Sequence, residues 1–205
     1  MRRGVFLCGF ATFSLLSGFA AAQDQKSFRL DIGSTSVELD PGETVEVTLP
    51  DGSKAKVKLT RNAFTTYSTD VFSFVHPSDV SVTKSDLGDG VVQHLMASAI
   101  GTVAIVQQYD KVSPALLTEF MLGELTREAI AAGAKVEKSP HSREAGKKLE
   151  GLKATEKGSA DTVDYEVLAY GSGTKGVLIV TSIDEENKDA DGPMLAKFWQ
   201  TLKIN

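Results

Sequence analysis

Cysteine is almost missing from this chain. Among 205 residues there is one, Cys8, together with one tryptophan and three histidines. Long apolar runs are just as scarce. The longest extends from Val5 to Phe19, broken only by small or hydroxyl residues, and it falls short of the roughly 20 apolar residues that span a bilayer. The next densest, Val177-Leu178-Ile179-Val180, has the length of a buried strand. Basic charge is in deficit, with 22 Lys and Arg against 27 Asp and Glu. Such a balance disfavours non-specific binding to nucleic acid or to an anionic membrane surface.

The N-terminus has the organisation of an export signal. Arg2 and Arg3 supply the basic start, Val5 to Phe19 the apolar segment, and Ala20-Ala21-Ala22 a small-residue cleavage site before Gln23. Phe6-Leu7 stand before Cys8 where a lipoprotein signal has small residues. Gly4 and Val5 separate the arginines from Phe6, a spacing that favours the general secretory route over the twin-arginine one. The expected location is therefore periplasmic or secreted. Cleavage removes Cys8, which excludes disulfides, a cysteine nucleophile and thiolate metal sites from the mature chain. It also leaves 20 basic against 27 acidic residues, a net charge of −7. No membrane insertion is expected after cleavage.

Residues 23–62 read as a small β meander. Phe28, Leu30 and Ile32 alternate with Arg29 and Asp31, and Val37 and Leu39 follow Gly33-Ser34. After Pro41-Gly42, Val45, Val47 and Leu49 alternate with polar residues. After Pro50-Asp51-Gly52-Ser53, Ala55, Val57 and Leu59 alternate with Lys54, Lys56 and Lys58. The lysine face is expected to pair across the hairpin with Glu43 and Glu46. So small a unit without disulfides is expected to pack on the rest of the chain or on a partner.

Residues 63–205 read as an α+β domain, a largely antiparallel sheet covered by two helices. Strands are predicted at 64–68, 71–76, 80–84, 91–100 and 102–109, then at 135–138, 147–155, 163–170 and 176–183. The first helix starts at Ser113-Pro114, buries Leu117, Met121, Leu125, Ala129 and Ala132 with Phe120 widening the stripe, and stops at Gly133. The second is predicted over 193–201, with Pro193 at its first position and Leu195, Phe198, Trp199 and Leu202 apolar. The aromatic residues, Trp199 included, are expected in the core.

The segments Phe64-Thr65-Thr66-Tyr67 and Phe72-Ser73-Phe74-Val75-His76-Pro77, the helix after Ser113-Pro114, the strand entry at Gly146 to Gly151, and the closing Phe198-Trp199-Gln200-Thr201-Leu202-Lys203-Ile204 form a recognisable pattern. In these, residues 64–205 resemble the PsbP-like α/β/α sandwich group, which includes DcrB-like bacterial envelope proteins. The resemblance implies a non-enzymatic accessory or stress-related envelope protein. The meander lies outside it.

Motif fragments are weak. Gly171-Ser172-Gly173-Thr174-Lys175-Gly176 spells G-x-G-x-x-G, but a strand follows it where a dinucleotide loop needs a helix, so a hairpin turn is expected. Asn187, Asp189, Asp191 and Gly192 match half a calcium loop, yet Phe198 stands where the bidentate glutamate belongs; helix capping by Asp191 is the expected role. His76, His94 and His141 are far apart, His141 in an expected loop after Pro140, and no G-x-S-x-G occurs. Glu185-Glu186 is a carboxylate pair without a placed counterpart. Accordingly no catalytic, metal or cofactor-binding residue is assigned and no cofactor is expected.

The charge is unevenly placed. Residues 135–157 hold seven Lys or Arg against four Glu, and 184–191 five acids against one lysine. Both are expected to be solvated surface first and docking surface second. The function expected is that of an exported, non-enzymatic accessory protein with an envelope protein as partner. The alternatives are a small-ligand carrier with a cavity between sheet and helix, or a hydrolase built on His76 or His94 with nearby acids.

Overall fold

The computed structural model describes residues 26–159 and 161–205. The export signal at 1–22, with Cys8, lies outside them. The chain divides between Thr60 and Arg61 into two compact units.

In the first unit the four expected strands pair as two antiparallel hairpins. β1 (Phe28–Ile32) runs against β2 (Thr35–Leu39), and β3 (Thr44–Thr48) against β4 (Lys54–Lys58). No ladder joins β2 to β3. Leu39 and Val47 are the buried positions of the alternating pattern. The expected lysine–glutamate pairing is present at Lys54 and Glu46, 2.7 Å apart, while Glu43 goes to Lys26 at 3.1 Å.

The second unit is α+β. β5 (Phe64–Ser68) and β6 (Phe72–Pro77) form a small sheet with β14 (Lys203–Ile204), in the order β14-β6-β5. The main sheet holds β7 (Val82–Gly88), β8 (Val91–Ala97), β9 (Val103–Tyr109), β10 (Lys135–Glu144), β11 (Lys148–Lys157), β12 (Thr162–Ser172) and β13 (Lys175–Asp184). Its order is β10-β11-β12-β13-β9-β8-β7, and every neighbouring pair is antiparallel. One face carries α1 (Thr118–Ala131), the other α2 (Lys188–Thr201) together with the small sheet.

The strand period explains the two cores. In β13, Leu178 and Val180 face α1, while Val177 and Ile179 face α2. Such a strand is buried on both sides, which is why it reads as a continuous apolar run. The α2 side is the aromatic core. Phe72 and Phe74 stack with centroids 5.9 Å apart, and Phe198 meets Phe74 edge-on at 4.9 Å. Phe72 and Phe198 are completely buried, and each such side chain contributes about 1.5–3 kcal/mol.

Helix α1 departs from its expected face. A 3-10 turn at Pro114–Leu117 precedes it, and Ser113 holds the cap conformation without a side-chain hydrogen bond. The stop at Gly133 is as expected. Its φ is +96°, Gly133 N–H donates to the Ile130 carbonyl, and Ala134 N–H to that of Ala129, the paired bonds of a Schellman cap. The buried side chains, however, are Thr118, Leu122 and Thr126. Leu117 and Met121 pack at the margin, Leu125 is exposed, and Phe120 points to solvent at 64% exposure. Threonine reads as polar, yet here each hydroxyl is satisfied locally: Thr126 Oγ1 donates to the Leu122 carbonyl at 2.9 Å and Thr118 Oγ1 to that of Ala115 at 3.4 Å. The methyl groups are then free to face the sheet.

Two boundaries also move. β10 continues through Pro140 to Glu144, since β10 is an edge strand and the missing N–H costs no ladder bond on the open side. α2 begins at Lys188 rather than Pro193, which lies inside it. The acids of 184–191, expected as solvated surface, surround the N-terminus of α2, where the macrodipole favours them.

Candidate functional site

The face of β10, β11 and β12 that α2 borders is polar and carries a charge network. Period two sets His141 and Arg143 of β10, Thr155 of β11, and Asp164 and Glu166 of β12 on this side. Arg143 donates two parallel hydrogen bonds to Glu166, from Nε at 2.5 Å and from a terminal nitrogen at 2.6 Å. The bond to Glu166 holds the guanidinium above its ordinary pKa, against the opposing effect of burial. The guanidinium carbon also lies 4.7 Å from the ring centre of Trp199, which α2 presents. Trp199 packs against the aromatic core as expected but also forms one wall of an open cleft of about 520 Å³.

Asp164 shares this cleft. Burial pushes its carboxyl up, but Lys188 at 2.7 Å and the Thr155 hydroxyl at 2.6 Å outweigh that effect and leave it below the usual range. Lys188 pairs with Glu185 as well. On the opposite face, the Tyr165 hydroxyl donates to the buried Glu156 at 3.2 Å. Burial first, then the Glu156 charge, pushes the Tyr165 phenol up to about 12.

The histidines separate. His76 lies at the end of β6, buried, with Nδ1 2.8 Å from the Pro77 carbonyl oxygen. His94 is 2% exposed; its Nδ1 and the Tyr67 hydroxyl share a hydrogen bond of 2.7 Å, and its Nε2 has no partner. His141 lies in β10 and not in a loop, with Nε2 3.6 Å from Glu166. That separation exceeds a hydrogen bond, and Glu166 is already taken by Arg143. None of the three joins a carboxylate and a hydroxyl as a hydrolase site requires.

The remaining motifs fall into structural roles. Gly171 to Gly176 is the β12–β13 hairpin, with Ser172 opposite Lys175 and Gly173 at φ +63°. Asn187, Asp189 and Asp191 lie at or inside the first turns of α2 and form no loop. Asn187 donates to the Ile100 carbonyl at 2.8 Å, and Asp191 accepts from Ser98 instead of capping. No group of three or more His, Cys, Asp or Glu able to hold a metal occurs among the described residues. No described helix is long and apolar enough to cross a membrane.

The mixed-charge segment 135–157 pairs partly within itself, through Lys157–Glu137 at 2.9 Å and Lys148–Glu150 at 2.5 Å, and partly outward, through Lys138 to Glu119 of α1 at 2.7 Å and Arg143 to Glu166. The apolar surface lies elsewhere. Leu116, Phe120 and Ile130 are 78%, 64% and 52% exposed. At 100° per residue, Phe120 lies about 160° from Leu122, on the outward side of α1, whereas Ile130 lies only about 80° from Leu122, on the flank near the C-terminal end; Leu116, in the 3-10 turn, precedes Phe120 by about one turn.

No family model matches the chain, and no curated protein matches it. Among solved structures, it is similar to the solution structure of cyanobacterial PsbP (CyanoP) from Synechocystis sp. PCC 6803. The TM-score is 0.47 at 10% identity, over 70% of this chain and 93% of that one. Of the segments that carry the resemblance, Phe64 to Tyr67 is in β5, Phe72 to Pro77 is β6 and Lys203-Ile204 is β14, all in the small sheet, while the helix after Ser113-Pro114, Gly146 to Gly151 and Phe198 to Thr201 lie in α1, the β10–β11 hairpin and α2.

Arg143, Glu166 and Trp199 as a cluster are not visible in the sequence. The signal that would have found half of it is the alternation of Ser139, His141 and Arg143, which Pro140 conceals.

Proposed function

We propose that this chain is an exported accessory protein that acts by docking an envelope protein rather than by chemistry. The outward face of α1 carries the reading. Leu116, in the turn that leads into α1, and Phe120, in its first turn, expose large apolar side chains about one helical turn apart, at the start of a helix whose other side is packed on the sheet. Solvent exposure of an adjacent Leu and Phe is unfavourable without a covering surface, whereas a singly placed apolar residue such as Ile130 needs none. The paired charges of the α2 cleft support the same reading, because Glu166 and Asp164 are each held by a cation and neither is a free base. Export rests on the N-terminal signal pattern.

A photoreactive phenylalanine analogue at position 120, with a control at exposed Lys84 on the far edge strand, tests the docking face in the native envelope. A specific adduct at 120, absent at 84 and lost in a Leu116→Glu chain of unchanged melting temperature, is the expected result. Equal adducts at both positions, or an adduct indifferent to Leu116→Glu, would contradict it. Loss of the cleavage product when Ala20 and Ala22 are replaced by bulky residues tests export separately.

A further inference from the structure

The cross-strand register places Val92 of β8, Gln108 of β9, Val177 of β13 and Tyr170 of β12 in one row. All four side chains face the side that carries the small sheet. Val71, the residue before β6, and Ile204 of β14 stand over this row, and between them lies an open cleft of about 420 Å³. That size is within the roughly 300–1,000 Å³ of small-molecule sites, which are mostly apolar with a few placed polar groups.

The polar groups here are few and held. Gln108 is anchored by a bond from Nε2 to the Thr69 hydroxyl at 3.3 Å. At the rim, Asp110 lies over Gly90 so closely that a Cβ on Gly90 would overlap its carboxylate. Lys175, on the same face as Val177 and two residues before it, makes no ion pair among the described residues. The rim therefore carries the Asp110 carboxylate, held over Gly90, and the Lys175 ammonium, and the ammonium is the group open to an anion entering the apolar row.

We propose that this cleft is a binding site for a slender apolar anion, an alkyl or aryl carboxylate, with its hydrocarbon part on Val92, Val177 and Tyr170 and its carboxylate at the Lys175 ammonium. The site is separate from the α1 face and from the Trp199 cleft, so it stands or falls independently of the docking function.

Octanoate, with 1-octanol as its neutral counterpart, is the probe, added to the protein purified after export and followed by amide NMR. Saturable shifts confined to Val71, Val92, Gln108, Lys175 to Val177 and Ile204 are expected, with the Trp199 indole unmoved. Lys175→Gln, a surface change, should weaken octanoate about fivefold and leave octanol unchanged, as an exposed charge pair worth up to about 1 kcal/mol requires. Val71→Trp, at a position 38% exposed, should fill the mouth and abolish both. Shifts that do not saturate or that spread over the surface would overturn the site. So would octanoate binding undiminished by Val71→Trp in a chain whose other amide shifts are native. An equal loss of octanoate and octanol in Lys175→Gln would overturn the carboxylate assignment.

Discussion

Pro114 rests on the bare backbone of Gly176: a Cβ added there would stand 2.8 Å from the proline Cγ, and closer still to the Tyr170 carbonyl oxygen. Gly171, opposite Gly176 in the β12–β13 ladder, would meet the same ring at 2.9 Å. Two glycines of a G-x-G-x-x-G string thus serve as the seat for the turn that launches α1. Gly176→Ala is expected to cost about 1–3 kcal/mol by overpacking against backbone that cannot yield. Urea unfolding measures it, and a loss under about 0.5 kcal/mol would show that the turn is free to lift.

Trp199 is the single tryptophan, so its emission reports on Arg143 without interference. Arg143→Lys removes the two-bond fork to Glu166 and the planar contact with the indole. Because both charges are partly solvated, the expected loss is only about 1 kcal/mol. The emission maximum should move, while Lys148→Met, at an exposed pair, leaves it in place. An unshifted spectrum in Arg143→Lys would contradict the contact.

His94 gives stability a pH dependence of definite sign. Burial, the largest cause, lowers its pKa from the ordinary 6.5; the Gln108 side chain beside it opposes this, and the charge of Lys84 adds to the lowering. The unfolded chain therefore binds a proton that the folded chain refuses, in the interval between the folded value and 6.5. Stability is full above about 6.5 and falls as pH drops through that interval. Urea midpoints from pH 7.5 to 5 should decline, and His94→Gln should flatten the decline. The depressed carboxyl of Asp164 acts lower, with its contribution lost only below its ordinary 3.8.

The two sides of α1 differ in what substitution does. Leu122 is 2% exposed and Leu122→Ala should cost about 2–5 kcal/mol. Phe120→Ala, on the outer side, should stay within about 0.5 kcal/mol. Thermal unfolding of the pair decides which face packs, and the reverse order would restore the stripe of Leu117, Met121 and Leu125.

Much of this fold is written locally. The alternation of Phe72 and Phe74, the Gly88-Asp89-Gly90 turn with all three residues at positive φ, the hairpin at Gly173 and the Schellman stop at Gly133 all depend on neighbours a few residues away. Period, turn chemistry and caps are properties of short segments, so the α+β class and the helix stop follow from the sequence by itself. The rotation of α1 does not. It was decided by which side meets β11 and β12, where two threonines with locally satisfied hydroxyls fit better than Leu125 and Phe120. Nor does the continuation of β10 past Pro140, which is permitted only because that strand became the sheet edge. Arg143 meets Glu166 across 23 residues, and Trp199 from the other end of the domain, only after β10, β11 and β12 have taken their register. Local sequence sets backbone preference, but side chains distant along the chain become neighbours through sheet order and register, and those are settled by packing of the whole domain.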